Sequence, residues 1–168
     1  LIAREKNLDT MEVISTLPLK DIDFVVGKFL AAFSLVVTGL LVTLIHFFTL
    51  TQVGTNVDYG AVFTGYLGLA LAGAVYSSVG TFASSITDNQ VVAFIIGIFI
   101  VLVFFLMDKM LMFVPVYLTG IIQYLSVDYH LSNISRGVID SRNLVYFASV
   151  VGFFLFMTVR ILEIRKWR

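Results

Sequence analysis

The chain has 168 residues, 59% of them hydrophobic and 13% charged, with a mean hydropathy of +0.98 and no net charge. A soluble domain is roughly half apolar and a quarter charged, so this composition indicates an integral membrane protein, and its neutrality offers no bulk field for nucleic acid or an anionic surface. Cysteine is absent, which excludes disulfides, thiolate metal sites and a cysteine nucleophile.

Residues 1–18 (LIAREKNLDTMEVISTLP) are the one sizeable charged stretch ahead of chain that is otherwise suited to lipid. Glu5, Asp9, Glu12 and Thr16 follow the rhythm of one helical face, while Met11, Val13, Ile14 and Leu17 gather on the opposite side. Asp9 with Glu12 resembles a capping box, and Pro18 stops the run. The pattern predicts a short amphipathic helix over Thr10–Leu17, lying on the membrane surface or docked on protein. The alternative is a solvated loop before the first span.

Asp21 is positioned to cap a helix whose apolar run, 24–50, exceeds the roughly 20 residues needed to cross a bilayer. Lys28, one turn inside, can snorkel to the interface. Gly27, Ala31, Ser34 and Thr38 make a stripe of small residues at helical spacing, predicted to pack closely on protein. After a polar turn (TQVGTNVDY), a second span covers 60–83. Gly73, Ser77, Gly80 and Ser84 make a close-packing stripe there, with Gly65, Gly68 and Ala72 on another side, as expected of a helix buried among neighbours. A functional alternative has Tyr66, Tyr76 and Ser77 lining a substrate path.

The turn SSITDNQ leads to a third span, 91–107, which is apolar on every side and therefore expected to meet lipid. Residues 108–143 mix apolar patches too short to cross with charges and turn residues, which predicts re-entrant or interfacial helices. The fourth span is 144–162, followed by a basic tail in which Trp167 is an interfacial anchor. Four spans place both ends on one side. That side carries Arg4, Lys6, Lys20, Lys28, Arg160, Arg165, Lys166 and Arg168, which makes it cytoplasmic, with 1–23 as a cytoplasmic segment and 108–143 outside.

Gly27-Lys28 fails as a phosphate-binding loop, since Ile22 and Phe29 stand where glycine and Ser or Thr are required. His46 and His130 lack the i, i+4 pairing of a helical metal site. No ionisable residue sits mid-span, where a charge costs about 2.5 to 3.5 kcal/mol and marks ion or proton pathways. Transport by this chain would then be powered from outside it, and no cofactor, metal or catalytic residue is expected.

Several pieces in order carry a family resemblance: Arg4-Glu5-Lys6, Thr10-Met11-Glu12 and Leu17-Pro18; Gly27-Lys28-Phe29-Leu30; Phe82 to Gln90; and Arg136-Gly137-Val138-Ile139-Asp140 leading to Val145-Tyr146-Phe147. With the topology they resemble the ABC-2-type transporter permeases, and within these the group that includes the gliding-motility-associated permease. The resemblance implies an all-α polytopic transmembrane bundle with a short cytoplasmic coupling helix, placed at Thr10–Leu17. It also implies a bacterial cytoplasmic membrane, a cytoplasmic ATPase subunit, a second permease subunit and an auxiliary extracytoplasmic subunit. Glu5, Asp9 and Glu12 would meet the ATPase through charge, while Met11, Ile14 and Leu17 would fill its docking groove. Members resemble six-span proteins, so this chain, which starts at Leu1, would lack the first two spans. The competing reading is a scaffold or accessory subunit that transports nothing.

Overall fold

The computed structural model describes residues 1–8, 10, 20–54 and 57–166. Of the predicted amphipathic helix only Thr10 is among them. Asp9, Met11, Glu12, Ile14 and Leu17 lie outside the described residues, as does Trp167. The described elements are all helical: α1 (Ile2–Asn7), α2 (Asp21–Val53), α3 (Tyr59–Ile86), α4 (Gln90–Leu106), a 3-10 turn (Lys109–Phe113), α5 (Val116–Leu125), α6 (Val127–Ser135) and α7 (Ser141–Lys166).

Short polar side chains start most of these helices by taking up N–H groups of the first turn that have no partner within the helix. Asp58 accepts from the N–H of Gly60 at 2.9 Å and of Ala61 at 3.1 Å. Asn89 does so from Val91 at 2.8 Å, and Asp140 from Arg142 at 2.9 Å. At α2 the expected cap moves by one residue. The N–H groups of Asp23 and Phe24 bond to the Lys20 carbonyl, so Asp21 begins the helix, where its charge, with that of Asp23, suits the positive end of the helix dipole.

Among the described residues, three helices are long and apolar enough to cross a membrane: α2, α3 and α7. The predicted third span falls on α4, whose 17 residues reach the short end of the crossing range. The chain divides into two compact units, one of 1–32, 75–103 and 148–168 and the other of 33–74 and 104–147. Each of α2, α3, α4 and α7 therefore begins in one unit and ends in the other. The first unit gathers α1, the α3–α4 turn and the end of α7; the second holds the α2–α3 loop and residues 108–143.

In its most apolar stretch α3 is 44% buried and α2 not at all. Small residues account for this, because Val75, Ser78, Val79, Thr81, Ala83 and Ser85 are fully covered. The buried hydroxyls are satisfied within the helix, Ser78 donating to the Val75 carbonyl and Thr81 to that of Ser77. On α4 only Ala93 and Gly97 are buried, and Phe94, Ile95, Ile98 and Phe99 are exposed, as expected of a helix facing lipid.

The second unit is organised around His130, which is 1% exposed. Its Nε2 donates to the Tyr124 carbonyl at 2.8 Å, the direction being set because a carbonyl only accepts. Its Nδ1 pairs with the Asn143 amide at 2.7 Å, and its ring stacks on Tyr146 with centroids 3.9 Å apart. The Tyr146 hydroxyl donates to the Leu125 carbonyl at 2.5 Å. Side chains from α6 and α7 thus satisfy two of the last carbonyls of α5, which would otherwise lack partners. Lys109 adds a surface tie to Asp128 at 2.8 Å, a hydrogen bond that raises its pKa above the ordinary 10.5.

Candidate functional site

The first unit holds the junction between the opening segment and the bundle. Ile2, Ala3 and Lys6 are the buried residues of α1, a spacing that places them on one face. Ile2 packs with Val25 of α2 and Leu162 of α7, flanked by Phe24, Leu155 and Val159. Beside this apolar contact the Ala3 N–H donates to the Ser84 hydroxyl at 2.8 Å, which supplies a partner to a first-turn amide. Lys6 donates to the Ser85 carbonyl, in the last turn of α3, where the helix dipole favours a cation. Its ammonium lies 3.7 Å from the Asp88 carboxylate, in the α3–α4 turn.

Glu5 is paired within the chain. One of its oxygens accepts from Lys28 of α2, and the other is buried without a hydrogen-bond partner among the described residues. Lys28, which the sequence alone would send to the lipid interface, also lies over the Phe24 ring, 5.6 Å from its centroid. Four residues of α1, Ile2, Ala3, Glu5 and Lys6, are therefore tied to the start of α2, the end of α3, the turn into α4 and the end of α7.

The chain matches the family described as ABC-2 family transporter protein over residues 1–135. It belongs to the ABC-2 transporter family. No curated protein and no solved structure matches it. As an ABC-2 permease the chain is a multi-pass membrane protein and the membrane component of a transporter.

Of the predicted coupling residues of the permease, Glu5 is the one that the structure describes, and its charge is turned toward Lys28. The two small-residue stripes fare differently. Gly27, Ala31, Ser34 and Thr38 all lie on the exposed surface of α2, and a Cβ at Gly27 would meet nothing within 4 Å. On α3, Gly73 meets Val36 of α2 closely and Ser84 binds α1, whereas Gly80 faces open space. Ser77 is buried. Tyr66, a residue of the alternative substrate path, bonds to Thr43 at 3.0 Å and lines an apolar crevice of about 500 Å³ with Leu40, Leu44 and Phe63. Sequence reasoning missed Lys6, because a lysine in a charged stretch carries no local mark of burial.

Lys6→Met is expected to free α1 from the α3–α4 turn. The Ser85 carbonyl would lose its charged donor, at a cost of about 1 to 3 kcal/mol. Amide hydrogen exchange in α1 should accelerate, with little change in α5 and α6. Unchanged exchange in α1 would show that Ile2, Ala3 and Glu5 hold it without Lys6.

Proposed function

We propose that this permease is coupled to a separate cytoplasmic ATPase through residues 9–18, and that α1 carries the resulting movement into the bundle. The observation that carries this reading is the set of ties from α1 to α2, α3, the α3–α4 turn and α7. In this reading Asp9 and Glu12 meet the ATPase through charge, and Met11, Ile14 and Leu17 fill its groove. Glu5 also belongs to the coupling set, acting by holding α1 against Lys28.

Both chain ends and the α3–α4 turn face the cytoplasm, on the distribution of Arg and Lys, and the membrane is the bacterial cytoplasmic one. A second permease subunit completes the pathway. The exposed stripe Gly27, Ala31, Ser34 and Thr38 provides a face on which another helix can approach closely. An auxiliary subunit on the outer side is a further partner.

A cysteine at Leu17 is expected to crosslink to one in the docking groove of the ATPase, with a yield that changes with nucleotide. Glu12→Lys should weaken ATPase association while membrane insertion stays intact. Wild-type association by Glu12→Lys, together with no crosslink in any nucleotide state, would remove the coupling role from this segment.

A scaffold that transports nothing is the second reading, favoured by the buried hydroxyls of Ser78 and Thr81, which bond within α3. Stimulation of the partner's ATP hydrolysis by the reconstituted permease separates the two.

A further inference from the structure

The connection between α6 and α7 borders a cavity of about 470 Å³ that the coupling reading leaves unused, with Tyr124, His130, Asn133, Arg136, Arg142 and Asn143 in its wall. We infer that this cavity binds a phosphate group, held between the guanidinium groups of Arg136 and Arg142.

Charge is the first observation. Arg136 and Arg142 are both exposed, and neither guanidinium makes a hydrogen bond or ion pair with any described residue. The one carboxylate in the wall is Asp140, which accepts the Arg142 backbone N–H at 2.9 Å in capping α7. Two cations against one anion leave the cavity positive. The opening turn of α7 borders the same space, and the field of a helix N-terminus also favours an anion.

Rigidity is the second. Asn143 and His130, 5% and 1% exposed, are bonded to each other, and His130 is held in turn by the Tyr124 carbonyl, so the floor is fixed before any ligand arrives. Gly137, at φ 90°, turns the chain sharply after α6, a backbone conformation that other residues rarely adopt. This turn brings Arg136 and Arg142, on either side of the connection, to one cavity. Less ordering is then required when the ligand binds.

The donor set selects phosphate. A guanidinium presents two parallel N–H groups to two oxygens, so a single fork satisfies a carboxylate, whereas a phosphate has oxygens for both forks. Exposed Tyr124 and Val138 on the rim offer an apolar shoulder for the organic part of a phosphate ester. The same chemistry is found in a phospholipid headgroup and in a soluble phosphate, and the experiment distinguishes them. The inference holds whether or not the ATPase-coupling reading does.

Full-length protein in phosphate-free maltoside detergent would be titrated with inorganic phosphate, against chloride at matched ionic strength, and separately with dioctanoyl phosphatidylglycerol against dioctanoylglycerol. Thermal unfolding is followed in both. The wild type should show a saturable rise in Tm with at least one phosphate compound. Arg136→Gln and Arg142→Gln should each raise the half-saturating concentration about tenfold, while Ser132→Ala, on the exposed side of α6, leaves it unchanged. A response to the lipid alone supports a headgroup site, and a response to inorganic phosphate supports a site for a soluble ligand. No saturable response in either titration, or an equal one in the Arg136→Gln/Arg142→Gln double variant, overturns the inference.

Discussion

Replacing His130 with phenylalanine is expected to lower stability by about 2 to 6 kcal/mol, the largest effect of any single substitution considered for this permease. The ring would keep its stacking on Tyr146 and its edge contacts with Tyr124 and Phe147. What would be lost is the donor to the Tyr124 carbonyl and the partner of the Asn143 amide, both in buried surroundings. Each buried polar group left without a partner costs about 1 to 3 kcal/mol, and two are left here. Equilibrium unfolding in detergent measures the sum.

Adding Asn143→Leu to the His130 variant removes one of the orphaned groups. The double variant should therefore fall short of the sum of the two single losses, since the residues form one network. Strict additivity would mean that the His130–Asn143 bond contributes nothing of its own. His130→Gln, which offers both a donor and an acceptor, should recover part of the loss.

Gly73→Ala and Gly80→Ala are expected to move stability in opposite directions, although both glycines belong to one stripe on one helix. A Cβ at Gly73 would sit 2.5 Å from Cγ1 of Val36. Valine is stiff about χ1, so this methyl cannot swing aside, and α2 and α3 must separate. Overpacking of this kind costs about 1 to 3 kcal/mol. At Gly80 a Cβ meets nothing within 4 Å, so alanine there only removes backbone freedom from the unfolded chain, stabilising by about 0.5 to 1 kcal/mol. Val36→Ala combined with Gly73→Ala should restore most of the loss. If both alanine variants moved stability alike, the close approach of Gly73 to Val36 would have no energetic weight.

Some of this molecule was legible from local pattern. The apolar runs that became α2, α3 and α7 could be read directly, because span length is set by bilayer thickness and rise per residue. The chain from Lys109 to Ser135 was legible in kind, as short helices, but not in detail. Its apolar patches, 110–118 and 121–125 in the sequence, do not mark the helix bounds, because Pro115 divides the first and α5 continues to Leu125. The proline fixes its own φ and favours a helix start, and in the chain it stands as the residue before Val116.

By itself, then, the sequence determined that the chain is helical, that it is a membrane protein, which family it resembles and where charge collects along it. Each follows from properties of neighbouring residues. Only the tertiary structure decided that Lys6 is buried against Ser85, 79 residues away, and that Glu5 spends its charge on Lys28. It alone decided that His130 joins three helices and that Gly73 rather than Gly80 marks a close approach. The physical reason is the same in each case. In lipid no hydrophobic effect drives helices together, so apolarity marks a span without saying which of its faces will meet protein, and a buried polar partner is chosen by the fold rather than by its place in the chain.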